Sequence, residues 1–333
     1  MTSHPVTDLI TARAKSRSKP NERTDDSKLA LVIEGGAMRG VVSAGMVTAL
    51  QYLGLRDVFD AVYGCSAGAI NGAYFLAHQA PYGTTIYYED INNENFISLR
   101  RAIFGQPAVS LEFLLDEIAT KTKVLDWKAV LDSPVPLKVV VSSITEHRSV
   151  LLENFESRQE LFCALKASAR IPLLAGHPIA LRGHELLDGS IYEAIPYHSA
   201  LADGCSHLLV LLTRPPGAQS GFKWSFINSM ISNRLRKVDP LIAEAFRRRS
   251  VVYRRDVAAV NKAQAGGEST YHILPICPGS HSSVHQLEKR RWRLLSGANA
   301  GASAVFDALQ NDKISLTEII APFTALGHKF GSP

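Results

Sequence analysis

A serine flanked by two glycines lies where a short strand is predicted to turn into a helix. The segment Gly64-x-Ser66-x-Gly68 follows a predicted strand over residues 60–63 and precedes a small-residue helix predicted over residues 69–77. Serine at such a turn is held in a strained, exposed position, where its hydroxyl can act as a nucleophile. The free N–H groups at the start of the next helix favour developing negative charge. The spacing predicts nucleophilic catalysis, although GxSxG alone also occurs in ordinary glycine-rich turns.

A second glycine-rich turn, with the sequence GGAMRG, spans residues 35–40 between a predicted buried strand and a predicted helix. A nucleotide-phosphate loop would need glycine at position 37, where the chain has Ala37, or a Lys-Ser/Thr pair that is absent. A purely structural tight turn is the second interpretation. The third is an oxyanion hole, in which each backbone N–H donor to the tetrahedral intermediate contributes about 3 kcal/mol. Arg39 would then fix the loop or add positive potential.

A hydroxyl nucleophile also needs a base, and the sequence offers two kinds. Asp188 begins an Asp-Gly-Ser segment that, by itself, is a common β-turn sequence. A histidine would instead have to follow Asp188 to complete a Ser-Asp-His triad, and His207 or His272 would be the candidate. No histidine lies in a recognisable motif with the serine, so the base remains open on the residues alone.

The elements that must position these residues indicate an α/β fold. Strand, glycine-rich turn and helix occur twice in succession, with strands predicted over residues 29–33 and 60–63 and the first helix over residues 41–53. Residues 80–133 are irregular to helical. Further strands are predicted over residues 137–144, 149–152, 207–213 and 270–276, and further helices over residues 158–168, 223–260 and 284–309.

Composition is that of a globular protein with a large core, because 46% of the 333 residues are hydrophobic and 20% are charged. The net charge of +5 is uneven, at −4 for residues 1–213 and +9 for residues 214–333. This asymmetry suggests an anionic partner surface, lipid headgroups or nucleic acid, or simply solvated helix faces. The four cysteines form no CxxC pair and indicate neither a zinc site nor a disulfide framework.

Three regions are expected. Residues 1–27 are polar and basic and are predicted to be a disordered tail, residues 28–213 a catalytic domain, and residues 214–333 a basic α-rich extension that begins at a Pro-Pro-Gly break. No apolar run approaches the ~20 residues of a membrane span, and the N-terminus lacks the apolar region of a secretory signal. Together with reduced thiols, these features favour a cytoplasmic protein.

The order of the three motifs, glycine-rich turn, GxSxG and Asp-Gly, resembles the patatin-like phospholipase family. Ala167-Ser168 with Ile171-Pro172 resembles a further block of that family. Position by position, the resemblance assigns the catalytic pair to Ser66 and Asp188. It assigns Gly64 and Gly68 to the nucleophile elbow, the sharp turn that carries the serine, and Gly189 and Ser190 to the Asp-Gly turn. The residues assigned to the oxyanion hole are Gly35, Gly36, Ala37, Arg39 and Gly40.

Three features depart from the family pattern, one of them the absence, at Ala194-Ile195, of the frequent Asn before the final Pro. Ala37 replaces the third glycine of the oxyanion turn, which is tolerable if its φ stays negative, and Ser190 replaces a residue that is usually Gly or Ala. The departure at Ser190 affects fine positioning only.

The resemblance implies a three-layer α/β/α fold around a mostly parallel sheet, with a basic, mainly helical C-terminal extension. It implies a serine lipid acyl-hydrolase, similar to phospholipase A or lysophospholipase, that uses a Ser-Asp dyad and an acyl-enzyme without cofactor or metal. The expected partners are a lipid substrate and, peripherally, anionic membrane through residues 234–293, with no nucleic acid. The alternatives are an α/β-hydrolase-type esterase with a Ser-Asp-His triad, and an inactive lipid-binding scaffold on the same fold.

Overall fold

The computed structural model describes residues 4–104, 106–172, 174–217, 225–264, 270–280, 282, 284–309 and 314–326. Its strands are β1 (Leu29–Ile33), β2 (Ala61–Cys65), β3 (Leu137–Ser143), β4 (Arg148–Leu152), β5 (Ile179–Leu181), β6 (His184–Asp188), β7 (His207–Leu211) and β8 (His272–Ile276). They form one mixed sheet in the order β5-β6-β3-β2-β1-β7-β8, with β4 paired to β3.

The helices lie between these strands. They are α1 (Pro5–Ser16), α2 (Val41–Tyr52), α3 (Ala67–Leu76), α4 (Ala80–Glu89), α5 (Leu99–Ile103), α6 (Trp127–Leu131), α7 (Arg158–Ser168), α8 (Tyr197–Ala202), α9 (Ser225–Val238), α10 (Pro240–Gln264), α11 (Arg291–Ala308) and α12 (Leu316–Leu326). Short 3₁₀ turns cover Ala37–Gly40 and Gly189–Ile191, and a π-helical stretch covers Phe113–Thr122.

Both faces of the central strands are covered by helices. In β1, Leu29, Leu31 and Ile33 belong to a core shared with α2 and α11. Ala30 and Val32 belong to a second core shared with α8 and the C-terminal half of α10. Side chains alternate between the two faces of a strand, so these two cores lie on opposite sides of the sheet. The expected α/β/α fold around a mostly parallel sheet is confirmed.

The C-terminal region is part of this architecture. β8 pairs in parallel with β7, so that the sheet continues past residue 213. α10 covers one face of the sheet, and α11 packs against α2 on the other. The expected division between residues 213 and 214 therefore has no counterpart in the packing of the described residues.

Glycines bring α11 against α2. A Cβ added at Gly301 would lie 2.0 Å from the carbonyl oxygen of Val42, and one added at Gly45 would lie 2.0 Å from that of Ala298. The two helix backbones are thus in direct contact, which larger residues would prevent.

The prediction of a disordered tail over residues 1–27 is wrong for the described residues from 4 onward. α1 buries Val6, Ile10 and Arg13, which share one helical face by their spacing. The guanidinium of Arg13 pairs with Asp25 at 2.8 Å and with Asp60 at 2.7 Å. A buried, fully paired arginine therefore ties this polar segment to the start of the sheet.

One predicted helix is divided, and two strands were not predicted. The single helix expected over residues 223–260 is broken between α9 and α10 at Asp239-Pro240, because proline disfavours a helical residue before it. Residues 223–224 lie outside the described residues. The short strands β5 and β6 had no prediction, and β6 ends at Asp188.

Candidate active site

Ser66 occupies the sharp turn between β2 and α3. Its backbone has φ 55° and ψ −128°, a conformation that L residues rarely adopt and that stores strain. A Cβ added at Gly64 would lie 2.4 Å from Cα of Ala69, and one added at Gly68 would lie 2.3 Å from the carbonyl oxygen of Ile33. The two glycines of the motif therefore let the turn close against the end of β1.

β3 brings Asp188 next to this turn. Each strand has two hydrogen-bonding edges, and β4 occupies one edge of β3 along residues 139–143. β2 pairs with β3 as far as Cys65 opposite Val140, and β6 pairs with β3 from Asp188 opposite Val141. β2 and β6 must therefore share the other edge, with the end of β6 directly following the end of β2. The serine that follows Cys65 is thus brought beside the aspartate.

Asp188 is buried, with 1% of its surface exposed. Burial raises the pKa of its carboxyl, while hydrogen bonds from Ser190 and Ser66 and the positive charge of Arg249 lower it in part. The Ser190 amide donates to Asp188 Oδ1 at 2.8 Å. The carboxylate is therefore fixed on one side by its own turn and can accept from the Ser66 hydroxyl on the other.

Ser168 supports the turn from α7. The Ser66 amide donates to Ser168 Oγ at 2.8 Å, and Ser168 Oγ donates to the Val140 carbonyl at 2.7 Å. Ser168 thus links the turn to Val140 of β3, and Asp188 at the end of β6 lies opposite the next residue of that strand, Val141. The sequence analysis noted Ser168 in the Ala-Ser block but predicted no role for it.

The glycine-rich turn packs against the serine. A Cβ added at Gly35 would lie 2.8 Å from Ser66 Cβ, and one at Gly40 would lie 2.7 Å from Ala67 Cβ. Among the described residues, no acceptor is seen for the amides of Gly36 and Ala37. These amides are therefore available as donors to a ligand.

The condition under which Ala37 would be a tolerable replacement for glycine, a negative φ, is not met. Its φ is 51°, and Gly36 before it has φ 148°. Two successive positive φ angles reverse the chain at the end of β1, and the alanine carries the strain that a glycine would avoid. A positive φ at this position explains why a glycine would be preferred there.

Arg39 lies beneath the glycine-rich turn. Its Nε donates to Thr213 Oγ1 at 3.0 Å, and its Nη2 is 3.6 Å from Glu34 Oε1. A Cβ added at Gly36 would lie 3.0 Å from that guanidinium. Arg39 therefore braces the backbone of the turn against the end of β7.

An apolar cavity opens beside Ser66. Its wall is built mainly by aliphatic and aromatic side chains, among them Ile70, Ile86, Phe96, Leu111 and Leu114. A cavity with this lining suits an apolar group of a ligand.

Arg249 and Tyr253 of α10 also face this region, and the sequence analysis missed them. Arg249 was grouped with the basic residues expected at a membrane, yet its charge acts on Asp188. A signal was present, since α10 has an inward stripe at alternating spacings of three and four residues. That stripe contains Ile242, Phe246, Arg249, Tyr253, Asp256 and Val260.

The histidines considered for a triad lie at the other edge of the sheet. His207 pairs with Leu29 at the start of β1, and His272 pairs with His207. Gly64, two residues before the serine, pairs with Ile33 at the end of β1. Four residues of extended strand, about 13 Å, separate the two ends. Neither histidine is placed to act on the Ser66 hydroxyl.

Within the described ranges, no group of three or more His, Cys, Asp or Glu side chains is arranged to hold a metal ion. Cys65, Cys163, Cys205 and Cys277 are free thiols. None of the helices in the described part of the chain is both long and apolar enough to cross a membrane.

Comparisons with known proteins give a family match and two similar proteins. A family model described as patatin-like phospholipase matches residues 31–201. The uncharacterized protein YjjU from Escherichia coli (strain K12) is 27% identical over 190 residues, which cover 56% of this chain and 52% of YjjU. The chain thus spans about half the length of that relative. The crystal structure of VipD from Legionella pneumophila is similar with a TM-score of 0.43 and 13% identity, covering 85% of this chain and 66% of VipD.

Proposed function

The chain belongs to the patatin-like phospholipase family, and on that premise we propose that it hydrolyses fatty-acyl esters of lipids with Ser66 as nucleophile and Asp188 as base. The observation that carries the proposal is the strained Ser66 beside the buried Asp188, at the mouth of an apolar cavity. Strain is retained at a turn where it serves function, and a buried carboxylate next to a hydroxyl is suited to remove its proton.

The reaction proceeds in two halves. Asp188 accepts the Ser66 proton as Oγ attacks the ester carbonyl, and the same proton passes to the departing alkoxide. The acyl group is then held on Ser66 as an ester. Water, deprotonated by Asp188, attacks this ester and releases the fatty acid, and the proton returns to Ser66.

The glycine-rich turn stabilises the tetrahedral intermediates. The amides of Gly36 and Ala37 have no acceptor among the described residues and lie in the turn packed against Ser66. The start of α3 adds the amides of Ala67 and Gly68, for which no acceptor is seen among the described residues, and the positive end of the helix dipole. Each well-placed donor lowers the barrier by about 3 kcal/mol.

The apolar cavity receives the acyl chain. Ser66 and Ala37 lie on its wall with the aliphatic side chains, so a chain bound there would present its carbonyl to the nucleophile. Burial of each methylene contributes about 0.8 kcal/mol to binding, which favours esters with long acyl chains over esters with short ones.

Hydrolysis of p-nitrophenyl octanoate and of phospholipid vesicles tests the dyad. Ser66→Ala and Asp188→Asn should each lower kcat by about 1000-fold or more, and the double variant should be no worse than either alone, because the two residues act as one unit. His207→Ala and His272→Ala serve as controls and should retain activity. Activity that survives Ser66→Ala, or that depends on one of the histidines, would overturn the dyad.

The same assay separates the proposal from an inactive scaffold. A scaffold would bind lipid but would release no fatty acid from any ester and would not react with an active-serine probe. Loss of activity on EDTA treatment would also contradict the metal-free mechanism.

A membrane contact through residues 234–293 belongs to this proposal. Arg234, Arg236 and Lys237 of α9 and Arg254 of α10 are exposed and have no ion pair within the described residues. Exposed Val238 and other apolar side chains lie among them. Other basic residues of the segment are paired internally, as Arg247 and Arg248 are with Glu244. The docking surface is therefore narrower than the charge count suggested.

A further inference from the structure

Three guanidinium groups lie close to one another on the side of Asp188 that Arg249 faces, and none of them lines the apolar cavity. Arg39 follows β1, Arg214 follows β7, and Arg249 lies on α10. Arg39 donates to Thr213, the neighbour of Arg214 in the chain. The Arg214 guanidinium carbon lies 4.3 Å from the centre of the Tyr253 ring, one helical turn after Arg249. The three side chains therefore converge from three separate elements.

Positive charge exceeds negative charge in this cluster. Its carboxylates are Glu34, which pairs with Arg39 and accepts from the Thr213 amide at 2.6 Å, and Asp188, which faces Arg249. Arg214 has no ion pair with any described residue, and its buried Nε has no hydrogen-bond acceptor among them. A guanidinium with a buried, unpaired N–H is costly unless something else satisfies it.

The same excess of positive charge lowers the pKa of two of these arginines. Burial lowers the pKa of Arg39, and the neighbouring Arg214 lowers it further. Burial also lowers the pKa of Arg249 to about 10, with Asp188 acting to raise it and Arg214 to lower it. Arg249 nevertheless stays charged at neutral pH, so a bound anion would relieve repulsion that the protein alone leaves in place.

We propose that Arg214 and Arg249 form a subsite for a phosphate group on the leaving side of the acyl ester. The inference rests on the proposed function, since it places the acyl chain in the apolar cavity and the remainder of the substrate outside it. Guanidinium groups match phosphate oxygens in bidentate geometry, and two of them can share one phosphate. Arg249 already donates through Nη1 to the Phe246 carbonyl and through Nη2 to Asn228 Oδ1 at 2.7 Å, so it would reach the phosphate with its remaining N–H groups. Both residues lie beyond the region matched by the family model, residues 31–201.

This subsite makes the enzyme prefer esters whose glycerol carries a phosphate over neutral glycerides with the same acyl bond. Arg214 is the better residue to test, because Arg249 also acts on Asp188 and its loss would alter the base. Lys262, exposed on the same helix α10, provides a control that removes one positive charge elsewhere.

Binding to the Ser66→Ala protein measures the preference without turnover. The probes are 1-octanoylglycerol 3-phosphate, 1-octanoylglycerol and inorganic phosphate, titrated by calorimetry below the micelle concentration. The phosphate-bearing lipid should bind about 10- to 100-fold more tightly than the neutral one. Arg214→Gln and Arg249→Gln should each remove most of that difference, and Lys262→Gln should keep it.

Three results would overturn the subsite. The first is equal affinity for the two lipids. The second is an equal fall in the affinities for both lipids in Arg214→Gln. The third is inorganic phosphate binding as tightly as the phosphate-bearing lipid, which would indicate a site for free phosphate. A melting curve checks that Arg214→Gln is folded. Arg214→Lys gives a second test, since it keeps the charge, loses the planar fork and should retain part of the preference.

The design separates the two proposals. A phosphate preference in Ser66→Ala with no hydrolysis by the wild type would refute the acyl-hydrolase function alone. Hydrolysis by the wild type with no phosphate preference would refute the subsite alone.

Discussion

At the scale of single residues, burial and the neighbouring polar groups have opposite effects on the pKa of Asp188. Asp188 must lose its proton to act as a base, yet burial raises its pKa. Hydrogen bonds from Ser66 and Ser190 and the charge of Arg249 partly restore the ionised form. The thiol of Cys65 also lies nearby, and its own pKa is raised by burial and by Asp188. The basic helix α10, outside the matched family domain, therefore favours the ionised form of the proposed base.

Arg249→Gln should move the acid limb of the kcat/KM profile to higher pH. Removal of the positive charge raises the pKa of Asp188 further, so the ionised base is lost earlier as pH falls. The activity deficit should therefore be larger at pH 5 than at pH 8. Measurement with a neutral soluble ester avoids any effect on phosphate binding. An unchanged limb in Arg249→Gln, or an equal shift in the control Lys262→Gln, would contradict this role.

The motifs of the site were predictable because they are local. GxSxG and the glycine-rich turn each join one strand to one helix, and their glycines are required by close backbone contacts that few other residues allow. The positive φ of Ala37 was not predictable, since alanine ordinarily avoids that region. Arg249 was hidden in a run of three arginines, although the spacing of the inward stripe of α10 marked it.

At the scale of elements, the packing of α11 on α2 attaches the C-terminal part of the chain to the first helix after the glycine-rich turn. The contact is made backbone to backbone at Gly45 and Gly301. α2 begins directly after the glycine-rich turn, so the position of α11 bears on the site through α2. Neither glycine was predicted to have this role, because a sequence pattern does not show which helix will lie opposite.

Gly301→Ala should destabilise the protein by about 2–3 kcal/mol, the cost of forcing a methyl group into a filled contact. In a free helix the same change would be favourable by about 0.5–1 kcal/mol, so the sign distinguishes the two situations. Urea unfolding measures the difference. The matched control is Gly279→Ala, where an added Cβ would meet no atom within 4 Å. Wild-type stability in Gly301→Ala would show that the two helices do not make this contact.

At the scale of the whole molecule, the uneven charge and the candidate site meet at the α9–α10 hairpin. Its buried face, which includes Ile231, Leu235 and Phe246, packs against Leu187 and Ile191 on either side of the Asp-Gly turn. Its outer face carries the basic residues that have no ion pair within the described part of the chain. The uneven charge was visible in the composition of the sequence. The packing of the C-terminal region into the same sheet was not, because the pairing of β7 with β8 joins distant parts of the chain.

Binding to anionic vesicles should depend on this outer face. Each exposed Lys or Arg near an anionic leaflet contributes about 1 kcal/mol, so charge reversal at Arg234 and Lys237 together should weaken binding by at least about 10-fold. Sedimentation with phosphatidylglycerol vesicles measures it, and added salt should lower binding of the wild type. Lys128→Glu, at a paired and exposed lysine of α6, is the control. Equal binding to neutral and anionic vesicles, insensitive to salt, would exclude electrostatic docking.

The central claim is that Ser66 becomes acylated with Asp188 as its base, and covalent trapping tests it most directly. A fluorophosphonate bearing an octyl chain is added to the protein, and the modified peptide is identified by mass spectrometry over a time course. The account predicts a single adduct on Ser66 in the wild type and labelling slower by about 100-fold or more in Asp188→Asn. An adduct on another residue, or labelling of Asp188→Asn at the wild-type rate, would contradict it.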